Sequence, residues 1–412
     1  MDRFHNFLRV LVSPNPCLNP HSWVGHDPFL LNPGHGSCAI ETCLVLFRLG
    51  KIDAQMMVHQ GMAEPSVLTV IPVLNEELHL DRCLRSIRSQ TLPSDQHRVL
   101  VLDGGSTDGT RDIVLQHVNE SMSDDGPTVE LLDNPGIHVP HARNLALKQV
   151  DGESHMFEII GHAWVPPEHL ENRLADLQEA ESELGQLIGS MGTRIIPEGS
   201  GGPWEEASIE ALLSSSLGGS GQFARFKGRS AAESPAFCLH RVEAVQDVNG
   251  WDERWIAGQD RDLNLRIANA GWPVMRSDAS YLHMAKRRSF SSLWGMGHRY
   301  GYWRARQASV SVSRLRVREF LPWIGLLAVI CGFAISSEVD GSSQFSLLLI
   351  VAYTSVAILV GLLEAIRFRR FSLIIGVPLG LMILHVSFSL GLLRGGLKQH
   401  PPANERVKSA NH

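Results

Sequence analysis

The residues of this chain best suited to chemistry lie in the run Asp-Gly-Gly-Ser-Thr-Asp-Gly-Thr at 103–110. The apolar stretch 99–102 leads into Asp103 and has the pattern of a strand buried on both faces of a parallel sheet. Two glycines let the backbone turn, Ser106 or Thr107 can cap the helix that follows, and Asp108 suits its positive end. Ligands of open α/β sheets sit outside the carboxyl ends of strands, so Asp103 points to a binding site. A second strand end lies upstream: 67–71 is apolar, Pro72 stops it, and Asn75-Glu76-Glu77 opens a helix running to about residue 90. Neither turn has the glycine pattern of a dinucleotide fold or the phosphate loop ending in Gly-Lys-Ser/Thr. Phosphates would have to be met by a metal or by cationic side chains. Further along, Gly-Gln-Asp-Arg-Asp-Leu at 258–263 starts a helix with two carboxylates in its first turn. The helix dipole favours them there, and Arg266, one turn on, can pair with Asp262.

Val-Ile-Pro-Val-Leu-Asn-Glu-Glu at 70–77 together with the 103–110 run resembles the opening of family 2 inverting glycosyltransferases of the GT-A fold. The likeness continues through Asn-Pro-Gly at 134–136, Ala-Arg-Asn at 142–144 and Gly-Gln-Asp-Arg-Asp-Leu-Asn-Leu-Arg at 258–266, and covers residues 66–305. Order and spacing make the set specific where each piece alone is weak. It is nearest to membrane-attached enzymes of exopolysaccharide assembly, of the succinoglycan type. The resemblance implies an α/β nucleotide-sugar-binding fold with a mostly parallel central sheet, and C-terminal transmembrane helices. It places Asp103 on the nucleotide's base, Arg143 on base or phosphates, and Pro72 and Glu76 beside them. The plain structural alternatives are a surface salt bridge for Arg143 and a helix cap for Glu76.

Such enzymes carry Asp-x-Asp or Asp-x-His at the end of the next strand, here 157–160, because a diphosphate needs a magnesium or manganese ion held by hard oxygen ligands. This chain reads Glu158-Ile159-Ile160-Gly161-His162. His162 matches the last position as a metal ligand, with a structural hydrogen bond as its alternative, and Ile160 replaces the first carboxylate. Glu158 shares Ile160's face if the strand runs on, and is then a distant substitute. The family's Glu-Asp pair, whose aspartate deprotonates the acceptor, is matched by Gln259 and Asp260. That makes Asp260 the expected base, with helix capping as its alternative. Gln259, Arg287 and Arg288 are expected on the acceptor or diphosphate side, where Lys286, Arg287 and Arg288 could neutralise the leaving group. They could equally form a basic rim at a membrane surface.

The order of strands and helices implies strands at 67–72, 98–103 and 128–132 and helices at 76–90, 107–119 and 140–149. A helix over 167–184 and strands at 191–196 and 236–239 follow. The domains expected are an N-terminal extension (1–64), a GT-A domain (65–288), an amphipathic interfacial helix region (289–318), two or three transmembrane helices (319–395) and a polar tail (396–412). The first strand begins only at Val67, and translation is expected to start at Met57 or Met62. The aromatic and basic stretch 290–306 suits a helix at lipid headgroups. Segments 345–363 and 371–393 are long enough to cross a bilayer, while 321–335 is marginal. Arginines 314, 316, 318, 367, 369 and 370 should be cytoplasmic.

Over 412 residues the net charge is −6, which argues against nucleic acid as a partner, and the six cysteines show neither ligand pairing nor a disulfide framework. The function expected is a glycosyltransferase in the cell (inner) membrane with its catalytic domain in the cytoplasm. It would move a sugar from a nucleotide-sugar donor to a lipid-linked or growing saccharide acceptor. The rivals are a polyprenyl-phosphate sugar synthase and a catalytically inactive nucleotide-sugar-binding scaffold.

Overall fold

The structure is a computed structural model that describes residues 64–196, 202–218, 225–285, 289–310 and 320–397. The expected extension up to residue 63, with its Met57 or Met62 start, lies outside the described residues. So do Lys286, Arg287 and Arg288, arginines 314, 316 and 318, and nearly all of the polar tail.

In chain order the first elements are β1 (Val67–Val73), α1 (Leu80–Arg88), β2 (His97–Asp103), α2 (Thr110–Ser121), β3 (Thr128–Asp133), α3 (Val139–Lys148) and β4 (His155–Glu158). A middle section holds β5 (Ala163–Trp164), α4 (His169–Leu184), β6 (Ser190–Ile196), α5 (Trp204–Ser214), β7 (Ser230–Ala231) and β8 (Leu239–Arg241). Then come α6 (Val242–Asp247), α7 (Gln259–Asn269), β9 (Val274–Met284) and α8 (Phe290–Val310). Three apolar helices end the series: α9 (Leu321–Ala334), α10 (Ser342–Phe368) and α11 (Leu373–Gly396).

The strands form one mixed sheet in the order β3-β2-β1-β4-β8-β6-β9-β5, with β7 added beside β9. The first four are parallel, in keeping with the continuous apolar runs of β1 and β2, and β8 then pairs antiparallel with both β4 and β6. Alternate residues feed two cores. Val67, Ile71 and Val73 meet Leu80, Leu84 and Ile87 of α1. On the other face Leu68 and Val70 meet Ala142, Ala146, Leu263 and Ile267 of α3 and α7. Each such side chain contributes about 1.5–3 kcal/mol on full burial, which makes the sheet a rigid platform for the loops at its carboxyl edge.

Several boundaries differ from expectation. Pro72 does not stop β1: it pairs in register with Leu102, and the strand runs on to Val73. A proline is tolerated because β4 pairs with β1 only as far as Val70, so no neighbour asks for the missing N–H. Helix α1 starts at Leu80 rather than near Glu76, because Asn75 is left-handed (φ 56°) and bends the chain away. Strand β4 ends at Glu158, two residues early, where the chain turns through Gly161 into β5.

Helices α10 and α11, at 27 and 24 residues, are long and apolar enough to cross a membrane, whereas α9 has 14. Helix α8 does not stand alone as an interfacial helix would. It packs along α11, with Gly297 and Gly301 facing Ser387 and Phe388, and Gly391 and Gly395 facing His298 and Tyr302. Small residues four apart on both helices let the backbones touch. Gly301→Leu should therefore force the pair apart, lowering stability by about 1–3 kcal/mol in thermal unfolding of the detergent-solubilised protein. Gly295→Ala, where an added carbon meets nothing within 4 Å, should not. Equal melting of the two variants would contradict this packing.

Candidate active site

The carboxyl ends of β1 and β2 are laced together by side chains of the two turns that follow them. Asn75 Oδ1 accepts from Thr107 N (2.8 Å), and the Asn75 amide donates to Ser106 Oγ (2.9 Å). The Glu76 amide donates to Thr110 Oγ1 (2.7 Å), and Glu77 Oε2 accepts from the Gly109 amide (2.9 Å). This explains why the two motifs need each other. It also corrects the capping expectation: α2 starts only at Thr110, with Gly109 as its N-cap, and Ser106 is used elsewhere.

Ser106 turns back to Asp103, whose Oδ1 accepts from both its amide and its hydroxyl, while Oδ2 takes Arg111 Nη1 at 2.7 Å. Burial alone would push the Asp103 carboxyl up, but Ser106 and Arg111 outweigh it and hold the group below the usual carboxylate range. Arg111 also reaches Asp133 Oδ1 at the end of β3, so one guanidinium spans two strand ends (2.7 Å each). Sequence reasoning missed Arg111. Its position in the first turn of α2, eight residues after Asp103, was the available signal.

Beyond β4, His162 Nδ1 lies 2.7 Å from Glu76 Oε1, with the two side chains 35% and 20% exposed. Gly161 permits the approach, since a side chain there would press on Glu76 at 3.0 Å. A carboxylate on one ring nitrogen fixes an imidazole and leaves the other free to bind a metal. The pair therefore fits a divalent cation as one imidazole ligand with its orienting carboxylate, the remaining ligands coming from a diphosphate. Among the described residues no cluster of three or more metal-binding side chains stands ready. Ile160 packs against the core on the α1 side. Glu158 cannot substitute as a ligand: it is 2% exposed and faces the opposite layer, between Arg143 and His240.

Arg143, on α3, joins this buried carboxylate to Asp260 in the first turn of α7. Its Nη1 donates to Asp260 Oδ1, and its Nη2 lies 3.3 Å from Glu158 Oε2. His240 Nε2 sits 3.2 Å from Glu158 Oε1. The Trp251 ring supports both, edge to face with His240 (centroids 5.7 Å apart) and 5.7 Å from the guanidinium carbon of Arg143. Arg143 and Glu158 are sealed at 5% and 2% exposure, but 44% of the Asp260 side chain is open. Surrounding protein raises the Asp260 pKa, with Glu158 adding to the rise and Arg143 opposing it. Water at its outer face limits that rise without reversing it. For Glu158 burial works upward, but Arg143 and His240 prevail and keep it low.

The loop leading into α7 and Asp260 is fixed from three sides. Asn144 pins the 249–251 turn, donating to Trp251 O and accepting from its amide (2.8 Å each). Arg266 bonds Asp262 Oδ2 (2.9 Å), as its spacing predicts, and the carbonyls of Val248 (2.7 Å) and Gly250 (2.8 Å). Gln307 of α8 donates to Ala257 O (3.1 Å), beside Trp303 packed on Trp255. Gly258, the N-cap of α7, has φ 77°, and a Cβ there would meet Gln307 Nε2 at 2.5 Å. Among the described residues, the buried side-chain oxygen of Gln259 has no hydrogen-bond partner.

Thus two groups form at the sheet's carboxyl edge: Asp103 with Arg111 and Asp133, and Asp260 with Arg143 and Glu158. Pro72 lies buried in β1, and Glu76 holds His162. Arg143 is committed to Asp260 and Glu158, and Asp103 has Arg111 as its arginine. Residues 69–248 match the family described as Glycosyl transferase family 2. The chain is 27% identical over 267 residues to the "Succinoglycan biosynthesis protein ExoA" of Rhizobium meliloti (strain 1021), covering 63% of this chain and 76% of that protein. It is 23% identical over 337 residues to a dolichyl N-acetyl-alpha-D-glucosaminyl phosphate 3-beta-D-2,3-diacetamido-2,3-dideoxy-beta-D-glucuronosyltransferase of Methanococcus voltae, covering 80% and 96% of the two. In fold it is similar to the mannosyltransferase PcManGT from Pyrobaculum calidifontis, solved in complex with GDP-Man and Mn2+. That likeness has a TM-score of 0.52 at 16% identity, over 81% of this chain and 94% of that one, and bears on fold alone. The chain carries a glycosyltransferase family 2 domain with a GT-A-like fold. It is a glycosyltransferase.

Gly258→Ala should cost about 1–3 kcal/mol, the usual penalty for a side chain in left-handed backbone. It should lower sugar transfer more than donor binding, because it displaces the loop that carries Asp260. Calorimetric unfolding, nucleotide titration and a transfer assay check this; wild-type transfer by a folded variant would contradict it.

Proposed function

We propose that this chain is a membrane-anchored inverting glycosyltransferase. It moves a sugar from a nucleotide-sugar donor to a lipid-linked or growing saccharide acceptor in glycan assembly, with the catalytic domain on the cytoplasmic side. The observation that carries the reading is Asp260: a carboxylate open on one side, raised in basicity, and held by Arg143 at the carboxyl edge of a nucleotide-binding type of sheet.

Asp103 binds the nucleotide from the β2 end, with Arg111 fixing its orientation. Asp260 takes the proton from the acceptor hydroxyl as that oxygen attacks the anomeric carbon. The bond to the diphosphate breaks on the opposite face, and the nucleoside diphosphate departs as the new glycosidic bond forms with inverted configuration. Proton removal in the same step spares the acceptor a positive charge. A magnesium or manganese ion held through His162, oriented by Glu76, would neutralise charge on the diphosphate. The Mn2+ in the PcManGT complex supports such use, as the dolichyl-linked acceptor in the M. voltae enzyme's name supports a lipid-linked one. Lys286, Arg287 and Arg288 are suited to the leaving diphosphate by charge and by their position after β9. The long apolar α10 and α11, with Arg367 beside their connecting turn, support an anchor whose catalytic side is cytoplasmic.

Two variants test the assignments. Asp260→Asn should leave nucleotide-sugar affinity nearly intact and lower transfer roughly 10²-fold or more. Ile160→Asp should make donor binding more manganese-dependent by adding an oxygen ligand near His162. Normal transfer by Asp260→Asn would remove the base. Donor binding indifferent to manganese in parent and Ile160→Asp would remove the metal. A product consisting of a single sugar on a polyprenyl phosphate would favour the synthase reading, and donor binding without turnover the inactive scaffold.

A further inference from the structure

The Glu158–Arg143–Asp260 contact has a feature that simple anchoring of a base does not require. An arginine as buried as Arg143 needs a counter-charge, and Asp260 alone would supply one. Instead the guanidinium is held at both ends by carboxylates carried on different elements. Glu158 is the more deeply buried of the two, and it brings His240 of β8 into the same cluster.

We propose that Glu158 is a positioning residue for the catalytic carboxylate. Acting through Arg143, whose guanidinium it shares with Asp260, it fixes the side from which the arginine holds the base and offsets part of the arginine's charge. The inference rests on Asp260 being the base. Arginine suits the task because its planar fork serves two carboxylates at once, which a lysine cannot do in that geometry. The groups facing the cluster are Arg143 from α3, Glu158 from β4, His240 from β8, Cys238 just before β8, and Arg173 from α4 near Glu158. From α7 itself, Asn264 Nδ2 binds the Asp260 carbonyl at 2.9 Å. The Glu158 charge works on Asp260 in the same sense, keeping the carboxylate more basic against the pull of Arg143.

The base must be ionised to accept a proton, so transfer rises with pH through the Asp260 pKa. Removing the Glu158 charge takes away its repulsion and leaves the Arg143 charge acting on Asp260 unopposed, which lowers that pKa. In Glu158→Gln the acidic limb of the kcat/KM profile should therefore move to lower pH by roughly 0.5–1 unit, and the plateau should fall several-fold as the base weakens. Glu158→Asp, which keeps the charge, should hold the limb near its parental position. Arg143→Lys, whose point charge stays with the buried Glu158, should move the limb to higher pH. The measurement is the pH dependence of sugar transfer by full-length protein in detergent, with thermal unfolding recorded for each variant. A merely structural Glu158 would change stability and rate but not the limb, so an unmoved limb in a folded Glu158→Gln overturns the proposal. Should that variant fail to fold, an Arg143→Lys limb that stays or moves down overturns it equally. A parent without transfer, or an active Asp260→Asn, overturns the reading of Asp260 and this inference with it. An active parent whose variants share its limb overturns this inference alone.

Discussion

A guanidinium withdrawn from water is costly unless its charge is met, and Arg143 meets that demand by drawing four elements to one point. Helix α3 supplies the arginine, β4 the buried Glu158, β8 the His240 beside it, and α7 the half-open Asp260. The junction of β4 with β8 is also where the parallel half of the sheet gives way to its mixed half. The inner carboxylate and the arginine are fixed by burial, and the end of the network that reaches solvent is Asp260.

The same loop answers to the apolar helices. Gln307 and Trp303 of α8 hold residues 255–257, and α8 lies backbone to backbone on α11 through facing glycines. Helix α5 is packed against α11 as well, with Trp204 Nε1 donating to Ser372 O at 3.2 Å and Ser208 against Gly376. Arg225 and Arg367 meet at the buried Glu364 of α10. The apolar helices are therefore part of the framework of the loop that leads to Asp260.

Much of this was readable in the sequence because it depends on local chemistry. Apolar runs gave β1 and β2, and Asp-Gly-Gly gave the turn after β2. Asp262 and Arg266 paired at the spacing a helix dictates. Long-range pairing was not readable. Alternation placed Glu158 on Ile160's face, which holds only while a strand continues; β4 stops at Glu158, and Ile160 turns to the other core. Nothing local to Arg143 reveals a partner 117 residues away. The tie of Asn144 to Trp251, 107 residues on, escaped notice for the same reason. The packing of α8 on α11 did leave a signal, since Gly297 and Gly301, and Gly391 and Gly395, each recur four residues apart. The aromatic and basic composition of α8 drew the reading toward a lipid surface instead.

The most direct test of the account is a structure of the full chain with a non-hydrolysable nucleotide-sugar and manganese, resolved well enough to place side chains. The account predicts the Asp260 carboxylate facing the anomeric carbon from the side opposite the diphosphate. Arg143 should remain on Glu158, and the nucleotide should lie against Asp103. A diphosphate or base seated on Arg143, with Asp260 turned away from the sugar, would contradict it.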